Sequence, residues 1–159
     1  MKLINKLLRK FGLELIPFRA GVENSGKRTR NLSYHTTKTG NYYLPADAPD
    51  DLVALAIREN KIFDEPVVRT AEQYIRKDTV VLDVGANFGQ MSILFSAMVG
   101  NGKVYSFEAD DWIMEILKKN IAANHLENTI MPYFGAVYNV DGQTMYFPVQ
   151  DFVEFGTYG

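Results

Sequence analysis

Two acids and the glycine turn between them are the residues of this 159-residue sequence best placed to do chemistry. The stretch Thr79-Val-Val-Leu-Asp-Val-Gly-Ala-Asn-Phe-Gly-Gln90 begins as a β-branched, apolar run and breaks at Gly85 into a turn that opens directly on a helical pattern. At such a strand–turn–helix junction a backbone without Cβ lets a ligand come close, and the unpaired N–H groups of a starting helix face any anionic part of it. A nucleotide-like ligand is the first expectation.

The spacing says which nucleotide. A dinucleotide turn reads Gly-x-Gly-x-x-Gly, whereas positions 85 to 90 read Gly85-Ala86-Asn87-Phe88-Gly89-Gln90, with two of the three glycines replaced. Asp83 precedes the turn by two residues, where its charge opposes a pyrophosphate and suits an ammonium or sulfonium group. Glu108 follows Gly85 by 23 residues and ends the run Lys103-Val-Tyr-Ser-Phe-Glu108. A carboxylate at the end of a second strand can accept two hydrogen bonds from a ribose diol. This pattern fits S-adenosylmethionine better than NAD. The cofactor set read from it is Asp83 for the ammonium, directly or through water, Gly85, Ala86, Asn87 and Gly89 for the methionine end, and Glu108 with the adjoining Ala109 for the ribose. Ala136, after Gly135, is placed against the adenine edge.

Three segments, Val81 to Gln90, Val104 to Asp110 and Leu117 to Asn124, together with the lead-in Ile62-Phe-Asp-Glu-Pro-Val-Val68, resemble the first half of the FkbM-type family of S-adenosylmethionine-dependent methyltransferases, over roughly residues 40 to 147. The resemblance implies an α/β, Rossmann-like class I methyltransferase fold and O-methylation of a hydroxyl on a sugar, polysaccharide or polyketide-like acceptor. It implies a small-molecule or glycan partner and no nucleic acid. A class I domain of this kind adds a fourth strand beside the first, and no segment after Gly142 suits that strand. The fold is therefore expected to be truncated after its third strand and a β-hairpin at Asp141-Gly142, leaving Thr79 to Val84 with an open edge. No catalytic residue is named, because the expected position of the base lies beyond the last residue.

The elements that must position these residues are legible as periodicities. Leu3, Ile4, Leu7, Leu8, Phe11 and Leu15 recur at helical spacing opposite Lys2, Lys6, Arg9 and Lys10, with Gly12 near the end and Pro17 as a stop. This basic amphipathic helix, residues 1–16, has two readings: a contact with an anionic membrane or a partner protein, and a helix packed on its own domain or on an oligomer partner. Residues 1–30 are read as this helix and a linker, and 31–159 as the N-terminal part of the methyltransferase domain. A hairpin is expected from Tyr34 to Leu44 with Gly40-Asn41 in its middle. Helices follow from Pro49-Asp50-Asp51 and from Pro66 to Arg76, then from Met91 to Val99 and from Asp111 to Ile121. A third strand is read from Asn128 to Val137. Glu65 is read mainly as a solvated first-turn carboxylate, with contact to the methionine end as the alternative.

Composition excludes several classes. There is no cysteine, and His35 and His125 lie 90 positions apart, so neither a disulfide nor a protein-built metal site is expected. No apolar run reaches the roughly 18 residues of a membrane span, and charges interrupt the N-terminal segment where a signal peptide is apolar. A cytoplasmic location, membrane-peripheral at most, is expected. The net charge of −2 divides into +6 over residues 1–30 and −8 over the remainder. Two further functions are carried alongside the methyltransferase: a non-catalytic nucleotide-binding module completed by a partner chain, and an NAD-dependent oxidoreductase half, disfavoured by the missing glycines and by Asp83.

Overall fold

A three-stranded parallel sheet in the order β4-β5-β6 carries the acids and the turn. The computed structural model describes residues 2–16 and 31–139, so the hairpin expected at Asp141-Gly142 lies outside the described residues. In chain order the elements are α1 (Lys2–Leu8), a 3-10 turn (Arg9–Phe11), β1 (Glu14–Ile16), β2 (Leu32–Thr37), β3 (Gly40–Pro45), α2 (Leu52–Arg58), α3 (Glu65–Tyr74), β4 (Val80–Val84), α4 (Gln90–Met98), β5 (Lys103–Glu108), α5 (Asp111–Ala123), β6 (Ile130–Phe134) and β7 (Ala136–Tyr138). Strand, helix, strand, helix, strand over β4 to β6 is the parallel crossover unit of a Rossmann-like class I methyltransferase fold.

The sheet buries both faces, as a parallel sheet must. Val81, Val104 and Ile130 lie across from one another in register and join the larger core with Ile113, Ile116, Leu117 and Ile121 of α5. On the other face Leu82, Tyr105, Phe107 and Tyr133 meet Ile4, Leu8 and Leu15. The Tyr133 ring lies near-parallel to that of Phe107, with centroids 5.7 Å apart. Among the described residues β4 pairs on one side only, and Val80 and Val84 are 50% and 55% exposed.

The second face corrects one reading of the N-terminus. The apolar side of α1 is covered in part by its own domain: Ile4 and Leu8 are buried against the sheet, each withdrawal of such a side chain contributing about 1.5–3 kcal/mol, while Leu3 and Phe11 stay 81% and 65% exposed. The helix is also shorter than its periodicity predicts. Gly12, at φ 70°, ends the 3-10 turn by donating to the Arg9 carbonyl, and Leu15 falls in β1 instead of on the helix. β1 pairs antiparallel with β7, and the Asn5 side chain accepts from Leu15 N at 2.8 Å.

Two glycines have other roles than the sequence suggested. The β2–β3 hairpin turns at Lys38-Thr39, so Gly40 begins β3, opposite Thr37. Gly40 takes φ 142°, and a Cβ there would stand 2.8 Å from Asn124 Oδ1, so both its backbone conformation and the close approach of the Asn124 side chain favour glycine. The third strand, expected to run to Val137, stops at Phe134. Gly135 bends the chain at φ 146°, where a Cβ would lie 2.5 Å from the Ile16 carbonyl oxygen, and β7 leaves the sheet to pair with β1.

Candidate functional site

The end of β4 turns through residues 85 to 89 into α4, and the turn is held by the neighbouring strand. Gly85 N and Ala86 N both donate to the Phe107 carbonyl at 2.9 Å, and Gly89 N donates to Ala86 O. Asn87 takes a left-handed φ of 50° and its side-chain oxygen accepts from Phe88 N at 2.6 Å, a local bond of the kind that makes asparagine tolerate this conformation. Phe88 is wholly buried and anchors the turn to the larger core. Gly85 is the open point: at φ 78°, no heavy atom lies within 4 Å of the position its Cβ would take. A ligand can approach the backbone there without displacing a side chain.

Glu108, at the end of β5, closes the other side. Its Oε2 accepts from Asn87 N at 2.9 Å, and its Oε1 accepts from Ala109 N and Asp110 N, each at 2.8 Å. Three of the roughly four acceptor positions of a carboxylate are thus used, leaving capacity for a ligand hydroxyl. Burial pushes its carboxyl above the usual range, against the pull of those N–H groups. Asp110 then caps α5, accepting from Trp112 N and Ile113 N.

Asp83 stands in register with Ser106, two residues before Glu108, so both acids leave the same face of the sheet. Its Oδ2 accepts from the Ser92 hydroxyl at 2.5 Å, and Ser92 Oγ lies 2.6 Å from Ser106 Oγ. Asp83 therefore faces the first turns of α4, while Glu108 bonds the turn backbone directly. Burial raises the Asp83 carboxyl, opposed by bonds from the Ser92 hydroxyl and main chain. The structure gathers Asp83, Gly85, Ala86, Asn87, Gly89, Glu108 and Ala109 around the β4–α4 junction. Ala136 lies in β7, opposite Ile16, and the residue before it, Gly135, donates its N–H to the Glu108 carbonyl at 2.8 Å. Glu65 takes two hydrogen bonds from Arg69 on the exposed side of α3, which accords with its reading as a first-turn carboxylate.

Three residues that position the site were missed. Asn120, fully buried on α5, bonds both main-chain groups of Tyr43 (N at 2.6 Å, O at 3.2 Å) and donates to Phe88 O at 2.8 Å, tying β3 to the glycine turn. Asn124, one turn on, holds Asn41 N and O in the same way. Gln90 fills the sixth position of the turn, where a dinucleotide fold has glycine. It accepts from Phe63 N and donates to Lys61 O, both at 2.8 Å, pinning the segment before α3 to the start of α4. The signal for the two asparagines was present: polar residues four apart on a helix whose remaining inward positions are apolar.

Comparison with known proteins follows this geometry. Residues 62–149 match the family described as the TRM5/TYW2 methyltransferase domain. Over 120 residues the chain is 32% identical to protein arginine N-methyltransferase 8-B of Danio rerio, covering 70% of this chain and 26% of that protein. The chain thus spans about a quarter of the length of that curated relative. It is similar to the solved structure of P. horikoshii TYW2 in complex with MeSAdo, at 20% identity and a TM-score of 0.49 over 68% of this chain and 37% of that one. It is also similar to the M. jannaschii tRNA m1G37 methyltransferase, at 22% identity and a TM-score of 0.47 over 67% and 29%. The family match corrects the FkbM-type resemblance. The sugar or polyketide acceptor, and the exclusion of nucleic acid, rested on that resemblance and fall with it. The physical reason is that the quoted segments build the cofactor half of the fold and carry nothing that touches an acceptor.

Proposed function

Because the chain belongs to the TRM5/TYW2 methyltransferase domain family, we propose that it is the cofactor-holding part of an S-adenosylmethionine-dependent methyltransferase whose acceptor is a nucleotide of tRNA. The observation that carries this reading is that the family match spans both Asp83 to Gln90 and Glu108, the two halves of the site. The acceptor class is supported by membership of that family, which acts on tRNA. S-Adenosylmethionine, when bound, supplies a methyl group already activated on a sulfonium, so transfer to a nucleophilic atom depends mainly on alignment.

This chain's residues fit that cofactor. Glu108 has acceptor capacity left for a ribose hydroxyl, and its bond to Asn87 N couples ribose binding to the shape of the turn. Gly85 offers the uncovered backbone a methionine end requires. Asp83 contributes a negative charge behind the turn, favouring a cation over a pyrophosphate. Its Ser92 and Ser106 partners fix the orientation of the carboxylate. Asn120 and Gln90 hold the hairpin and the segment before α3 against the turn.

Calorimetric titration of the chain with S-adenosylhomocysteine and, separately, NADH tests the cofactor. Transfer of labelled methyl from S-adenosylmethionine to unmodified tRNA tests the acceptor. Binding of S-adenosylhomocysteine alone, with label appearing in tRNA, is expected. NADH binding would return the oxidoreductase reading, and binding of neither would leave a non-catalytic module.

A further inference from the structure

We propose that the outward side of the β2–β3 hairpin, with Lys119 of α5, is a contact surface for a single-stranded segment of the RNA acceptor: a base stacks on Tyr34 and an adjoining phosphate meets Lys119. The inference rests on the acceptor class proposed above. In the hairpin Tyr34 lies directly across from Tyr43. Strand alternation sends Tyr42 and Leu44 inward, where both are fully buried, and leaves Tyr34 and Tyr43 on the opposite side. The two rings are 5.0 Å apart at 54°, Tyr34 is 53% exposed, and Lys119 Nζ stands 5.9 Å from the centre of the Tyr43 ring.

An aromatic pair with one ring exposed and a cation over the other is what unpaired nucleic acid binds, because every base has a face to stack and each nucleotide brings a phosphate. The neighbours on this side, Thr36 and Asn41, are polar, which suits a base and its backbone better than the apolar centre of a protein interface. Local charge agrees, against the net −8 of residues 31–159: Lys118 and Lys38 are also exposed, and Lys27, Arg28 and Arg30 immediately precede β2 in the sequence. The surface is also mechanically joined to the cofactor end. Asn120 holds the main chain of Tyr43 and the Phe88 carbonyl at once, so an RNA segment on the hairpin is referenced to the turn at Gly85.

Fluorescence anisotropy of a labelled tRNA transcript and of a short single-stranded RNA, with the full chain, tests this. Tyr34→Ala should weaken RNA binding by about 5- to 140-fold, the range for losing one stacked base, and Tyr34→Phe should retain it. Lys119→Gln should reduce the salt slope of the affinity by about 0.7. S-Adenosylhomocysteine binding should be the same in all three variants. Tyr34→Ala binding RNA as the wild type does overturns the surface and leaves the acceptor reading intact. A wild type that binds no RNA while still binding S-adenosylhomocysteine overturns the acceptor reading, and the surface with it. If Tyr34→Ala loses binding of an arginine-rich peptide but not of RNA, the surface belongs to a protein partner and the proposal fails.

Discussion

Replacing Glu108 by glutamine separates the acid's charge from its shape. The side chain keeps its length and one carbonyl oxygen, and the orientation that conflicts least leaves that oxygen accepting from Ala109 N and Asp110 N. The new amide then faces Asn87 N, so one donor meets another where an acceptor stood at 2.9 Å. Losing the charge weakens two hydrogen bonds from about 1.5–3 to about 0.5–1.5 kcal/mol each, and the unsatisfied Asn87 N–H costs about 1–3 kcal/mol. These losses sum to roughly 3–6 kcal/mol, an upper bound because the desolvation that disfavours the buried charge is relieved, and are read as a lower urea midpoint at unchanged slope. The ligand loses its charged acceptor as well. The affinity for S-adenosylhomocysteine should fall by about 1.5–3 kcal/mol, on the order of 10- to 140-fold in Kd by calorimetry. If Glu108→Gln is still folded at the titration temperature and binds as tightly as the wild type, the acid is a cap for the 109–110 turn and not part of a cofactor site.

Other perturbations address the turn, the clamp and the two buried acids. Gly85→Ala meets only backbone strain and should cost about 1 kcal/mol of stability, yet should abolish measurable S-adenosylhomocysteine binding by filling the open position. Gly89→Ala, whose Cβ would lie 2.6 Å from Leu117 Cδ1, should instead destabilise the fold by about 1–3 kcal/mol; equal binding by the two variants would remove the turn from the site. Asn120→Ala leaves Tyr43 N, Tyr43 O and Phe88 O without their partner and should cost about 3–5 kcal/mol in urea unfolding. A loss under about 1 kcal/mol would mean that the hairpin does not lean on α5. Burial holds the Asp83 and Glu108 carboxyls above their ordinary values, so the folded chain binds these protons more tightly than the unfolded one. Their contribution to stability is fully present below the ordinary carboxylate range and is lost as pH rises through the raised folded values. Asp83→Asn should flatten that slope in urea melts from mildly acidic to neutral pH, and an unaltered slope would contradict the burial of this acid.

What the sequence determined by itself was local. A β-branched run broken by glycine, a helical pattern after it, and an acid at the end of the next apolar run specify strand, turn, helix and strand. Period and turn chemistry act between neighbours and require no knowledge of the rest of the chain. The placement of Gly85 and Glu108 on one junction was readable for the same reason, since a parallel crossover brings successive strand ends together. Tertiary structure decided whatever depended on elements far apart in sequence. Gly40 and Gly135 looked like turn and strand residues; each takes a φ that favours glycine, 142° and 146°, and a distant side chain or backbone, Asn124 or Ile16, comes too close for a Cβ. Asn120, not singled out from the sequence, proved to be the bond between hairpin and turn. The helix at the N-terminus displayed an amphipathic face without saying what covers it, and the covering surface, Leu82, Tyr105, Phe107 and Tyr133, exists only once β4, β5 and β6 have paired.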